Sequence, residues 1–272
     1  MKSIGHLADV ILASKRLVVF TGAGVSTESG IPDFRSPKGV WARYDPSDFS
    51  YQNFIASPAA RMRYWQAGRE IYATIRHAKP NAAHLAMAEL ERLGLLDAVI
   101  TQNVDNLHQT AGVSPERVIE LHGNATRVRC LSCGRPFSRD EIQARLEHGE
   151  AIPACALPCG GIIKPATILF GEAMPVRETM EAERRARGAD TFIVVGSSLV
   201  VFPAAMMPLH AKEAGATLAI VNLEPTPYDD QADILIHGKA GEVMDRVIQM
   251  VKARIPHLAP STSAGRQPTA RA

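Results

Sequence analysis

Four cysteines fall between residues 130 and 159, as Cys130-Leu-Ser-Cys133 and Cys155-Ala-Leu-Pro-Cys159, with 21 residues between the pairs. Two short cysteine turns can bring four thiolates to one point, which is the donor set and geometry of a structural zinc. The second pair is one residue longer than a usual knuckle and needs a wider turn, which Pro158 and Gly160-Gly161 can supply. Clustered thiols in a reducing compartment point to a metal before they point to disulfides. Eight residues ahead of the first cysteine, His122 stands in VIELHGNATRVRC. Four thiolates close the zinc shell and leave no open position, so His122 is not needed as a ligand and the metal is structural. Two fates remain for His122. It is a core histidine satisfied by a backbone partner, or, placed between the apolar run VIEL and Gly123, it is a general base delivered into a crevice.

A second constellation, TGAGVSTESG (21–30), carries Gly22, Gly24 and Gly30. Such a loop lets backbone N–H groups come close to a pyrophosphate. Its spacing departs from G-x-G-x-x-G, because Thr27 stands where the third glycine belongs, and the acid expected about 20 residues later is missing. Glu224 is a better candidate for holding a ribose by its hydroxyls, its alternative being a solvated carboxylate at a strand end. An ordinary dehydrogenase fits these departures poorly.

These residues need a frame. Five apolar, β-branched runs, RLVVF (16–20), LLDAVI (95–100), TFIVVG (191–196), TLAIVN (217–222) and ADILIH (232–237), read as strands. They lack polar alternation, as strands covered on both faces do, and helical patterns at 81–94 and 241–255 separate them from their neighbours. The expected fold is α/β, a doubly wound parallel, Rossmann-like sheet. Ligands bind beyond the carboxyl ends of such strands. There the sequence places the glycine loop, TQNVDNLH (101–108), GSSLV (196–200), NLE (222–224) and HGKAG (237–241). Residues 36–76 and 126–164 interrupt the pattern and are expected to form a smaller lobe, helical in the first part and zinc-binding in the second. The nucleotide-binding body is then 1–35, 77–125 and 165–256, and the polar, aperiodic tail 257–272 reads as disordered.

Composition narrows the function. Hydrophobic residues make up 46% and charged residues 21% of 272 residues, which suits a globular chain with a large core. A net charge of +2 gives no footprint for direct nucleic-acid binding or an anionic membrane, and Arg127, Arg129, Arg135 and Arg139 read as a solvated face. No apolar run approaches the roughly 20 residues that span a bilayer. The opening MKSIGHLADVILASKRLVVF carries Asp9, Lys15 and Arg16 where a signal peptide is apolar, so a cytoplasmic location is expected.

Taken together, GAGVSTESGIPDFR (22–35), TQNVDNLH (101–108), His122-Gly123, the four cysteines, KPATILFGE (164–172), GSSLVVFPAA (196–205) and VNLE (221–224) stand in the order found in the sirtuins, which the chain resembles from about residue 10 to 250. The resemblance implies an NAD-dependent protein lysine deacylase. NAD is then cleaved, not reduced: the acyl oxygen attacks C1′ of the nicotinamide ribose, and His122 activates a ribose hydroxyl that carries the acyl group away as O-acyl-ADP-ribose. Carried over residue by residue, Gln102, Asn103 and Asp105 serve the reacting end, with Asn103 and Asp105 at the nicotinamide. Phe34 covers the reacting face, with Asp33 and Arg35 fixing its loop; the plainer alternatives are a core Phe34 and an Asp33–Arg35 ion pair. Gly22, Ala23, Gly24, Glu28, Gly196, Ser197 and Ser198 are assigned to the cofactor's phosphates and ribose. Asn222, Glu224, Lys239 and Ala240 are assigned to its adenosine side. One zinc is implied on Cys130, Cys133, Cys155 and Cys159. The acylated peptide pairs as a strand between Phe170-Gly171-Glu172 and Val200-Val201-Phe202, with little sequence preference.

The sirtuin branch that acts on acidic acyl chains carries a Tyr-x-x-Arg pair in the first insertion. The corresponding place here is Trp65-Gln-Ala-Gly68, so a cationic anchor is missing and an acetyl or other neutral acyl group is expected. Two rivals stand beside this reading: ADP-ribosyl transfer to a protein, and a zinc-ribbon module on a nucleotide-sensing body.

Overall fold

The computed structural model describes residues 2–255; the tail assigned above to disorder lies outside them. The first part of the chain runs α1 (Lys2–Ala13), β1 (Leu17–Thr21), α2 (Tyr51–Ala56), α3 (Pro58–His77), α4 (Ala82–Arg92), β2 (Leu96–Thr101), α5 (Leu107–Thr110) and β3 (Val118–Glu120). An antiparallel unit follows, with β4 (Gly123–Cys130), β5 (Pro136–Ser138), α6 (Arg139–Glu147) and β6 (Ile163–Thr167). The last part is α7 (Val176–Gly188), β7 (Thr191–Val195), α8 (Met207–Glu213), β8 (Thr217–Asn222), β9 (Ile234–His237) and α9 (Ala240–Arg254). No described helix is long and apolar enough to cross a membrane.

Six strands pair in the order β3-β2-β1-β7-β8-β9, and every pairing is parallel. The five expected strands are all present. The sixth, β3, is the run VIE ahead of His122, only three residues long and therefore too short to declare itself by pattern. Burial explains the missing alternation. Leu17 and Val19 pack with α1, α4 and α9 on one face, while Val18 and Phe20 pack with α7 and α8 on the other, so every residue of β1 is buried. Full burial of one such side chain stabilises by about 1.5–3 kcal/mol.

The strand order turns back between β1 and β7, and at that switch point the loops leaving the two strands face one another. They touch through glycines. Gly24 N–H donates to Gly196 O at 2.8 Å, a Cβ on Gly24 would lie 2.8 Å from that oxygen, and Gly196 holds φ +63° with its Cβ position 2.3 Å from Val25 N. Gly196→Ala therefore combines left-handed strain of about 1–2 kcal/mol with a backbone clash. A drop in melting temperature together with weakened nucleotide binding is the expected result, read by thermal melts with and without NAD.

The smaller sheet runs β5-β4-β6, antiparallel throughout. Sequence pattern missed these strands because β4 exposes polar residues between buried ones and β6 contains a buried lysine. They extend the antiparallel sheet out to residues 123 and 167. Its core joins both insertions: Phe54, Tyr64 and Trp65 from the first pack with Val128, Ile142, Leu146 and Ile163 from the second.

Candidate active site

Five loops from the strand ends line one cavity of about 920 Å³. At its floor, Gly22 and Gly24 spend their N–H groups on Val195 O and Gly196 O. Among the described residues the Ala23 N–H has no such partner and stays available to a ligand. Ser197 Oγ accepts from Gln102 Nε2 at 2.8 Å and from Leu199 N–H at 3.3 Å, leaving its own hydroxyl hydrogen to donate. Glu28 lines the same cavity and is also engaged at a helix end. Its carboxylate accepts the Gly241 N–H at the first turn of α9, where the helix dipole favours an anion. At the far strand ends, Asn222 Nδ2 donates to Glu224 O at 2.7 Å, and Lys239 forms an exposed pair with Glu242.

The β2 loop is held by a buried polar hub. Ser26 Oγ donates to Asp105 Oδ2 at 2.7 Å and accepts from Asn103 Nδ2 at 3.1 Å. Asp105 Oδ1 accepts the Leu107 N–H at 2.9 Å, and Asn103 Nδ2 also donates to Gly22 O. Behind the hub stand His84 and His108, ring centroids 5.0 Å apart. Burial pushes both imidazoles well below the ordinary histidine value, so neither adds a charge at neutral pH. The arrangement fixes the Asn103 side chain from two sides and leaves its Oδ1 without a partner among the described residues.

His122 follows β3 and precedes β4, and both of its ends are tied. Its carbonyl accepts the Ile168 N–H at 2.9 Å, and its Nδ1 lies 3.0 Å from Gln102 O. A carbonyl only accepts, so Nδ1 carries the proton and Nε2 is the free base, a tautomer assigned from this bond. Burial lowers the pKa of His122 below the usual histidine range, against the opposing pull of the Gln102 carbonyl. Neutral at pH 7 with a lone pair on the cavity side, the ring is suited to take a proton from a bound hydroxyl.

The cysteines settle the other half of the His122 question. Their four sulfurs lie within 4.8 Å of one another, with Cys130–Cys159 at 3.7 Å and Cys133–Cys155 at 3.8 Å. Zinc–sulfur bonds of about 2.3 Å in a tetrahedron put sulfurs about 3.8 Å apart, so the set fits one structural zinc, with no place for His122. Gly160 turns at φ +59° and a Cβ on Gly161 would come within 2.9 Å of Cys130 Sγ, as the longer second knuckle requires.

The Sir2 family profile matches residues 22–203. The chain belongs to the Sir2 family. It is 49% identical to an NAD-dependent protein deacetylase of Caldivirga maquilingensis over 91% of this chain and 94% of that one. With NAD-dependent protein deacylase 2 of Archaeoglobus fulgidus it shares 47% identity over 92% and 96%. A solved Sir2 enzyme superimposes at TM-score 0.84 and 46% identity, covering 93% of this chain and 98% of the other. A Sir2–p53 peptide–NAD+ complex does so at 0.82 and 39%, covering 90% and 96%.

Against the assignments made from the family's motifs, this Sir2 chain shows several differences in detail. Phe34 is 42% exposed, stacked on Trp41 at 5.3 Å, so it is no core residue. Asp33 accepts the backbone N–H groups of Arg35 and Ser36 through Oδ1, and no Asp33–Arg35 ion pair forms among the described residues. Phe170 has both backbone groups paired, to Phe49 O and Tyr51 N–H, so it offers a peptide its exposed ring and not its main chain. Glu172 is also engaged, accepting the Leu169 N–H and pairing with fully buried Lys164 at 3.0 Å. Val200 and Phe202 stay exposed on the opposite side. Of the four arginines read as a solvated face, Arg127, Arg129 and Arg135 are exposed, Arg127 pairing with Glu120, whereas Arg139 is buried.

Sequence reading missed Ser26, His84, His108, Ile168 and Lys164. All but His84 lie inside the quoted motifs, Ser26 in GAGVSTESGIPDFR, His108 in TQNVDNLH, and Lys164 and Ile168 in KPATILFGE, but nothing in the motifs gave each its partner. Lys164→Met strands the Glu172 carboxylate in a buried site and is expected to destabilise by about 3–5 kcal/mol, seen as a lower urea midpoint. Adding Glu172→Gln to it should return much of the loss.

Proposed function

We propose that the protein removes acyl groups, acetyl among them, from lysine side chains of proteins and peptides at the expense of NAD. The observation that carries the reading is the single cavity joining the facing glycine loops to His122. One end suits a dinucleotide, with Ala23 N–H, the Ser197 hydroxyl, Asn222 and Glu224. The other presents a neutral imidazole with Nε2 as base, beside the open Oδ1 of Asn103. Bound NAD would supply the ribose carbon that bonds the acyl oxygen as its bond to nicotinamide breaks; the acyl carbon then passes to a ribose hydroxyl, the lysine amine leaves, and one water completes O-acyl-ADP-ribose. Asn103, Asp105 and Gln102 hold the reacting end in place, which is where orientation lowers a barrier most. His122 takes the proton of the ribose hydroxyl that receives the acyl group. Phe34, on its Asp33-fixed turn, covers the site against water and returning nicotinamide. The peptide lies between Gly171-Glu172 and Val200-Val201-Phe202. A reducing cytoplasm would keep the four cysteines available as zinc thiolates.

The test is an acetyl-lysine peptide incubated with the protein, with and without NAD, and weighed. Loss of the acetyl mass only when NAD is present supports the reading. A peptide that keeps its acetyl group while a protein gains the mass of ADP-ribose favours transfer instead.

A further inference from the structure

The cavity does not stop at the catalytic loops but continues to α3 and α6 of the small lobe, where Trp65, Gly68, Tyr72 and Arg139 line it. Arg139 is 2% exposed, yet it forms no ion pair among the described residues. Its Nη1 donates to Gln143 Oε1 at 2.8 Å and its Nη2 to Gly68 O at 3.0 Å. The guanidinium lies 4.4 Å from the Tyr72 ring centroid and 5.4 Å from that of Trp65. Five N–H donors belong to a guanidinium, so three lack a protein acceptor. The neighbouring acids are occupied: Asp140 by Arg76 and Tyr72, Glu147 by Gln143. Beside it, Trp65 is wholly buried and its Nε1–H has no hydrogen-bond partner among the described residues.

A buried cation without a carboxylate and an orphaned N–H each cost stability, and desolvation indeed lowers the Arg139 pKa. A carboxylate is the group that would satisfy both, since it accepts two parallel bonds from a guanidinium and has lone pairs left for an indole N–H. The sequence suggested that this corner lacks a cation, because Gly68 stands where α3 could have carried one. Gly68 instead leaves room for a cation from another element: its absent Cβ would sit 3.9 Å from Arg139 Nη2, on a residue 71 positions later.

We propose that this corner binds the far end of the acyl chain, and that Arg139 and the Trp65 Nε1–H select acyl-lysines ending in a carboxylate. This rests on the deacylase reading of the cavity. It replaces a preference confined to neutral acyl groups, while acetyl, which has no carboxylate, is accepted without its help.

The experiment compares kcat/KM for one peptide carrying succinyl- against butyryl-lysine and glutaryl- against valeryl-lysine, pairs equal in carbon number, with the acetyl peptide alongside. Wild-type protein should favour the carboxylate member of at least one pair. Arg139→Gln should lower that ratio by about 10- to 100-fold, the worth of a hydrogen bond to a charged group, and Trp65→Phe should lower it less. A purely structural role would reduce both members alike and leave the ratio unchanged, which would overturn the proposal, as would a wild-type ratio of one or below. Should Arg139→Gln fail to fold, the wild-type ratio and Trp65→Phe still decide. Failure on acetyl and every other chain would sink the deacylase reading itself, whereas acetyl turnover without carboxylate preference sinks only this inference.

Discussion

Replacing His122 by alanine should lower acetyl-lysine turnover by about 10²- to 10⁴-fold, the usual contribution of a positioned general base, and leave the fold intact. The fold survives because the anchoring bond to Ile168 N–H uses the His122 carbonyl, which alanine keeps, and Gly123 still opens β4. What disappears is the ring bonded through Nδ1 to Gln102 O and with it the free Nε2. Steady-state kcat beside a thermal melt separates the two effects. The pH profile of the unmodified protein carries the same signature. A base acts only when unprotonated, and burial lowers the His122 pKa. Activity should therefore be full at neutral pH and fall on the acid side through a pKa below the ordinary histidine value of about 6.5. An acid limb centred above that value would contradict the assignment.

Removing zinc is expected to abolish activity by a different route. Cys130 and Cys155 are buried in the small-lobe core with Phe54, Tyr64 and Trp65. Structural zinc contributes about 10–16 kcal/mol in small zinc modules, comparable with the whole stability of a domain, about 5–15 kcal/mol. Without the metal, the turns that hold β4 against β6 lose their anchor. His122 sits directly before β4, and its carbonyl bonds to Ile168 directly after β6, so unfolding of the lobe displaces the base. A strong chelator, or Cys133→Ser, should change the fluorescence of buried Trp65 and remove turnover together, and zinc should restore both after chelation. Full activity after verified zinc loss would show that the lobe does not position His122.

Local features made the large sheet and the metal centre legible in the sequence. Strands buried on both faces write themselves as apolar runs, and a zinc site writes itself as two cysteine turns. The strand-end rule places Gly22, Gln102, Ser197 and Glu224 at one crevice from sequence alone. What stayed hidden depends on distant partners. Ser26 meets Asp105 across 79 positions, Asp33 is satisfied by backbone N–H groups that no pattern reveals, and Glu28 caps a helix 213 positions away. Arg139 looked like a surface residue because its neighbours in sequence are polar. Its burial is set by α3, which the sequence gives no reason to bring beside it.

On the proposed mechanism, NAD cleavage and lysine deacylation are one reaction in one cavity, with His122 serving the second half. The most direct measurement counts free nicotinamide and deacetylated peptide in the same tube over time. One nicotinamide is expected for every deacetylated peptide, with no deacetylated peptide formed when NAD is omitted. Deacetylation without NAD, or nicotinamide release with the peptide unchanged, would contradict it.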